Sequence, residues 1–273
     1  MTAGIGRPMP PVRFGARGLS ADRAAVLAIV TAPDRGGVDS AAMAAVDRAV
    51  HEGADIIDIG VAEDTDRLVP FVAVVRQRYP ELAISVDVRR HEVARPVLEV
   101  GADILSWTGA DLPLAEIAAE HGCALVCRYS GRASRQTGRI PGTDLVRDVV
   151  DDLSAQAATL VGLGVPKEAI LIDPTHHVGA DLLELLRHCD DVVATGWPAL
   201  LTLPDTDLLA DAGVDDRLDG ILAATTIAAW AGIQVFRVHQ VRQTRRVLEM
   251  VASIAGTRPP VRAIRGLTRR EPA

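Results

Sequence analysis

Eight short runs of Val, Ile, Leu and Ala recur along this chain, each followed by a longer Ala-rich stretch with helical spacing. The runs are Ala25–Val30, Asp55–Gly60, Ala83–Asp87, Asp103–Ser106, Ala124–Arg128, Ala169–Asp173, Asp191–Thr195 and Gln234–Val238. The helical stretches are Ser40–Gly53, Leu68–Tyr79, His91–Gly101, Leu112–His121, Leu145–Gly164, Leu182–Cys189, Leu218–Gly232 and Val241–Ala255. Strands that are apolar on both faces belong to a parallel sheet covered by helices. Eight strand–helix units closing on themselves predict an α/β fold, a single TIM (β/α)8 barrel, and 273 residues suit one such domain. Gly53, Gly101 and Gly122 fall where a helix stops and the next strand begins, as left-handed C-caps require. An open doubly wound sheet is disfavoured, because "VTAPDRGG" after the first run is not a dinucleotide fingerprint.

Charge divides the chain into three. Residues 1–20 carry +3 and residues 258–273 carry +4, which leaves −14 of the net −7 on residues 21–257. We therefore expect a basic, flexible N-terminal segment (1–20), an acidic barrel (21–257) and a basic C-terminal tail (258–273). An acidic body with 3% aromatic residues argues against a nucleic-acid binder. The N-terminus lacks the apolar run of a signal peptide, and the longest apolar stretch, Ile221–Phe236, is broken by Thr225, Thr226, Gly232 and Gln234. No membrane span is expected, and three scattered Cys (Cys123, Cys127, Cys189) suit a reducing cytoplasm.

In such barrels chemistry sits at the C-terminal ends of the strands. The polar residues expected there are Asp34, Asp58, Asp87, Ser106, Arg128, Asp173, Thr195, Arg237 and His239. Asp87 and Asp173 end the runs "ISVD" and "ILID". Carboxylates around a barrel mouth can accept adjacent N–H groups of a flat ring such as a 2-amino-4-oxopyrimidine; alternatively each caps the helix that follows. Arg237 and His239, two apart on the last run, face the same way and suit an anion, unless a neighbouring Asp pairs with them. His176 and His177 follow Asp173-Pro174-Thr175, but adjacent His point apart, so no metal site is expected.

These segments resemble the dihydropteroate synthase family. The resemblance rests on "GADIIDIG" (Gly53–Gly60), "ISVDVRRHEVARPVLEVGADIL" (Ile84–Leu105), "ILIDP" (Ile170–Pro174) and "LAATTIAAWAGIQVFRVHQV" (Leu222–Val241). It implies a barrel that joins a pterin pyrophosphate to p-aminobenzoate, with Mg2+ on the leaving group. By position it implies that Asp87 and Asp173, with Asp58 at the base of the second loop, bind the pterin. It implies an anion site at Arg237 and His239, and a homodimer built on the helices Leu218–Gly232 and Val241–Ala255.

The departures from the family pattern are equally specific. The first loop, "VTAPDRGG", has Thr31 where the family has its metal-holding Asn, and keeps Pro33 and Asp34. "GVAEDTDRL" (Gly60–Leu68) replaces the second loop, and Ser106-Trp107 replaces a pterin-binding Asn-Asp. "PDTD" (Pro204–Asp207), with Asp205 and Thr206 as degenerate positions, replaces the family's Ser-Arg-Lys-Ser and swaps two cations for two acids, Asp205 and Asp207, and "HVGA" (His177–Ala180) replaces "GFGK". Losing one stabiliser of developing charge costs about 10²–10³-fold in rate, so losing several leaves little. The pattern resembles the divergent second copy found in actinobacteria, described as inactive. We expect an inactive or repurposed pterin-binding barrel needing no cofactor, or Mg2+ if the family activity is retained. The alternatives are an active synthase with rebuilt loops, or another pterin-dependent transferase on the same barrel.

Overall fold

A computed structural model describes residues 11–14, 17–32, 40–60, 67–88, 90–107, 112–129, 145–175, 182–203 and 217–259. A two-stranded hairpin, β1 (Arg13–Phe14) and β2 (Arg17–Gly18), precedes the barrel. The barrel strands are β3 (Ala25–Thr31), β4 (Ile56–Gly60), β5 (Ala83–Val86), β6 (Ile104–Trp107), β7 (Ala124–Arg128), β8 (Ile170–Asp173), β9 (Leu200–Thr202) and β10 (Val235–Val238). Between and after them run α1 (Ser40–His51), α2 (Leu68–Arg78), α3 (Ala94–Glu99), α4 (Leu112–His121), α5 (Leu145–Gly162), α6 (Leu182–Arg187), α7 (Cys189–Ala194), α8 (Arg217–Ala231) and α9 (Val241–Ala255).

All barrel strands pair in parallel, in the order β8-β7-β6-β5-β4-β3-β10-β9. A parallel bridge between Ile172 and Ala199 and the hydrogen bond from Ile172 N to Pro198 O (2.8 Å) close the ring between β8 and β9. The (β/α)8 barrel expected from the alternation is therefore the fold.

One strand lies elsewhere than expected. Asp191–Thr195 is helical: it falls in α7 and its C-cap, with Asp190 and Asp191 in the first turn, where acids favour a helix. Cys189 and Val192 are its buried residues, a spacing of helical and not strand period. The seventh barrel strand is instead Leu200–Thr202, whose Leu200 and Leu201 are buried. Thr195 accordingly leaves the rim, and Thr202 takes its place.

The end of the barrel opposite the strand C-termini is shut by charge and by the hairpin. Asp55 accepts hydrogen bonds from Val26 N (2.8 Å), from Arg23 (2.9 Å) and from Arg245. Asp103 accepts from Ile84 N (2.9 Å), Arg76 (2.6 Å) and Arg17 (2.7 Å), the last reaching over from β2. Val12 and Phe14 are buried in the core, so this part of the segment expected to be flexible is a packed cap. Gly53 and Gly101 have φ of +98° and +111°, and side chains of Arg245 and Arg76 lie where a Cβ would stand.

Candidate functional site

Strand register decides which side chains share the barrel interior. Arg237 is paired with Leu27 and Thr202, Asp58 with Ser85, and Arg128 with Asp173. Register partners in a sheet point to the same face, and so do residues two apart along a strand. Following these steps around the ring puts Asp58, Ser85, Asp87, Ser106, Arg128, Asp173, Thr202 and Arg237 on one face. That face is the interior, because Arg237 feels the charges of Asp58, Asp173 and Asp87, which come from three other strand ends.

Asp58 is 1% exposed on β4. Its Oδ1 accepts from Ser85 Oγ at 2.6 Å, its Oδ2 accepts from Arg237 Nε at 2.8 Å, and Arg237 Nη2 lies 2.7 Å from the same Oδ2 as an ion pair. Burial works against the charge of Arg237. Attraction to Asp58 and the hydrogen bond Arg237 donates to it, then the fields of Asp173 and Asp87, outweigh that cost and hold the guanidinium above its ordinary pKa.

Asp173, also 1% exposed, closes β8. Its Oδ1 accepts from Thr175 N (3.0 Å) and Thr175 Oγ1 (2.6 Å). Its Oδ2 accepts from Thr202 Oγ1 at 2.7 Å, while Thr202 N donates to Thr175 Oγ1 at 2.8 Å. These bonds bridge β8 and β9, the one junction of the ring with little backbone ladder. Asp87, just past β5, is half-buried and lies 2.7 Å from Nη2 of the buried Arg128 on β7.

The expected cluster of Asp58, Asp87, Asp173 and Arg237 is thus brought together. Ser106 is buried on the same face, and Thr31 is exposed at the end of β3. His239 follows β10 and is exposed; its carbonyl accepts from Val241 N at 3.1 Å. Asp34, His176, His177, Asp205 and Thr206 lie outside the described residues, as does the Trp107 side chain.

Arg128 stands at the rim as expected, marked by the lone charge that ends the apolar run "ALVCR". Three partners were missing from the expected set. Ser85, two residues before Asp87, is legible by alternation. Thr202 was hidden by the misplaced seventh strand. Thr175 is the third residue of "DPT", a turn in which an Asp side chain accepts from the backbone two residues on.

The chain has one lysine, Lys167, and it is remote from this mouth. It sits in the turn immediately before β8, at the N-terminal end of the strand, with its ammonium 4.7 Å from the centre of the Trp197 ring.

Residues 37–239 match the family of pterin binding enzymes, which is most of the barrel. The chain belongs to that family. Within it the likeness is to dihydropteroate synthases, and to a divergent type among them. The chain is 47% identical to inactive dihydropteroate synthase 2 of Mycobacterium leprae, over 92% of this chain and 97% of the relative. It is 45% identical to the protein of the same name in Mycobacterium tuberculosis, over 92% and 89%. The structure of Mycobacterium tuberculosis Rv1207 superposes with a TM-score of 0.75 at 42% identity, covering 92% of this chain and 99% of that one. Thermus thermophilus dihydropteroate synthase in complex with 4-aminobenzoate gives a TM-score of 0.76 at 30% identity, covering 89% and 98%.

Proposed function

We propose that this pterin binding enzyme relative binds a flat, nitrogen-rich ring at its mouth and does not carry out the synthase reaction. The observation that carries this reading is the position of Lys167. Expelling pyrophosphate requires positive charge where negative charge develops. The only lysine of the chain lies at the opposite end of the barrel. The two described interior guanidiniums are already committed, Arg237 to Asp58 and Arg128 to Asp87. The inactive designation of the mycobacterial relatives supports the same reading.

A hard cation such as Mg2+ needs open carboxylate oxygens. Asp58 and Asp173 have both oxygens engaged by internal donors, and Asp87 faces a guanidinium. Among the described residues, no group of three or more His, Cys, Asp and Glu could hold a metal. The described mouth does not fit the ion.

The ligand class follows from Asp87, the carboxylate of the cluster that is not enclosed. Thermus thermophilus dihydropteroate synthase is known in complex with 6HMPPP, at 31% identity to this chain. A pterin-like ring is the ligand we propose here. We further propose a homodimer in the cytoplasm. Ile227 and Trp230 on α8 and Met250 and Ile254 on α9 are 56%, 38%, 61% and 66% exposed and supply the contact surface. No helix among the described residues is long and apolar enough to cross a membrane.

The test is an assay of purified protein with the pterin pyrophosphate, p-aminobenzoate and Mg2+, alongside calorimetry with a reduced pterin. No dihydropteroate and a measurable heat of pterin binding are expected. Robust turnover would overturn the reading.

A further inference from the structure

We infer that Arg128 is a specificity-determining residue that competes internally with the ligand for Asp87. This inference rests on the ring-binding reading above and concerns how that same site is controlled. A guanidinium is a planar fork of N–H donors attached to one carbon. The 2-amino end of a pterin ring has the same arrangement, N–H donors flanking one carbon. A carboxylate that recognises the second therefore also accepts the first. Arg128 Nη2 stands 2.7 Å from Asp87 Oδ1 as an ion pair, and Arg128 is 7% exposed, so the chain itself holds a guanidinium against Asp87 inside the barrel.

Three features make the occupation effective. Arg128 is fixed by the barrel: it ends β7, with its Cα paired to that of Asp173 on β8. It is a full positive charge held against Asp87 as an ion pair inside the barrel, where attraction between opposite charges is stronger than in water, and a neutral ring brings no such charge. It is also intramolecular, so it acts at a high effective concentration. Asp87 is the least buried carboxylate of the cluster, with 27% of its side chain exposed, and so is the one a ligand can reach from solvent. The other two are enclosed at 1%. A ligand must then displace Arg128 from Asp87, which lowers affinity for donor-rich rings without destroying the pocket.

The experiment is titration calorimetry of the full chain with 6-hydroxymethylpterin, comparing the unmodified protein with Arg128→Met and Arg128→Gln. Thermal melting establishes that each variant is folded. Methionine keeps most of the volume; glutamine keeps a neutral polar group if methionine proves too disruptive. Both variants are expected to bind the pterin about tenfold or more tightly, because the ring no longer competes with the ion pair for Asp87. Adding Asp87→Asn to either variant should abolish that gain, which a purely structural role for Arg128 would not predict. Pterin binding that is equal or weaker in both folded variants would overturn the inference and leave the ring-binding reading intact. No binding by any folded form would overturn both.

Discussion

Arg237 donates a hydrogen bond from Nε to one oxygen of Asp58 and holds Nη2 within ion-pair distance of the same oxygen, although Asp58 lies 179 positions earlier in the chain, across the intervening strand β3. The pair joins the last strand of the barrel to the second. It also ties the interior cation to a carboxylate that is nearly inaccessible.

Removing one member leaves a buried charge without its partner. Asp58→Ala should lower unfolding free energy by about 3–5 kcal/mol. Urea denaturation followed by circular dichroism would measure this. A change within error would mean that Arg237 turns to solvent or to Asp173 and Asp87 at little cost.

Thr202 tests the closure of the ring. Its hydroxyl bridges β9 to Asp173 on β8, where the backbone pairing is a single bridge. Thr202→Val should cost about 1.5–3 kcal/mol, the value of a hydrogen bond to a charged group, and Thr202→Ser should restore most of it. Equal stability of the valine and serine variants would count against the hydroxyl as the stitch.

The hairpin makes a separate claim about where the folded unit begins. Phe14 is 3% exposed although it lies in a segment whose composition suggested a loose tail. Phe14→Ala should destabilise by about 3–5 kcal/mol. A melting curve identical to that of the parent would return the hairpin to the status of an ornament.

The cysteines set an alkaline limit. Burial is the largest cause that raises all three thiols: Cys123 and Cys189 to about 12, and Cys127 upward as well. A raised folded pKa contributes stability that is intact below the ordinary thiol value. That contribution fades as pH rises toward the folded value. Stability should therefore fall from about pH 9 toward about pH 12, and replacing the cysteines by alanine should flatten that decline. At about pH 8 the native chain should be unreactive to a thiol reagent, whereas the urea-unfolded chain should react fully. Rapid labelling of the native protein would contradict their burial.

The legible part of the fold was the part written in periodicity. Seven of the eight strands fell where continuous apolar runs met a following helix pattern, and Gly53 and Gly101 marked real helix ends. The seventh failed because "DDVVAT" offers the same β-branched residues as a strand, and only the buried spacing of Cys189 and Val192 reveals the helix. The acids of the candidate site were legible because each ends or interrupts an apolar run. Their partners were less so. Which donor meets Asp173 depends on β9 lying beside β8, a long-range contact that no local pattern encodes. Arg128 was visible at its strand end, yet its pairing with Asp87 depends on two strands that flank β6.

The solitary lysine has a practical consequence. Lys167 carries the only side-chain amine in the protein, and it lies beneath the barrel, beside the indole of Trp197. Once the α-amine is blocked, amine-coupling chemistry on a sensor surface would grip every molecule by this one point of its floor. The ligand-facing rim would then look outward in a uniform orientation, so that weak small-molecule binding could be followed on an aligned layer without engineering a tag.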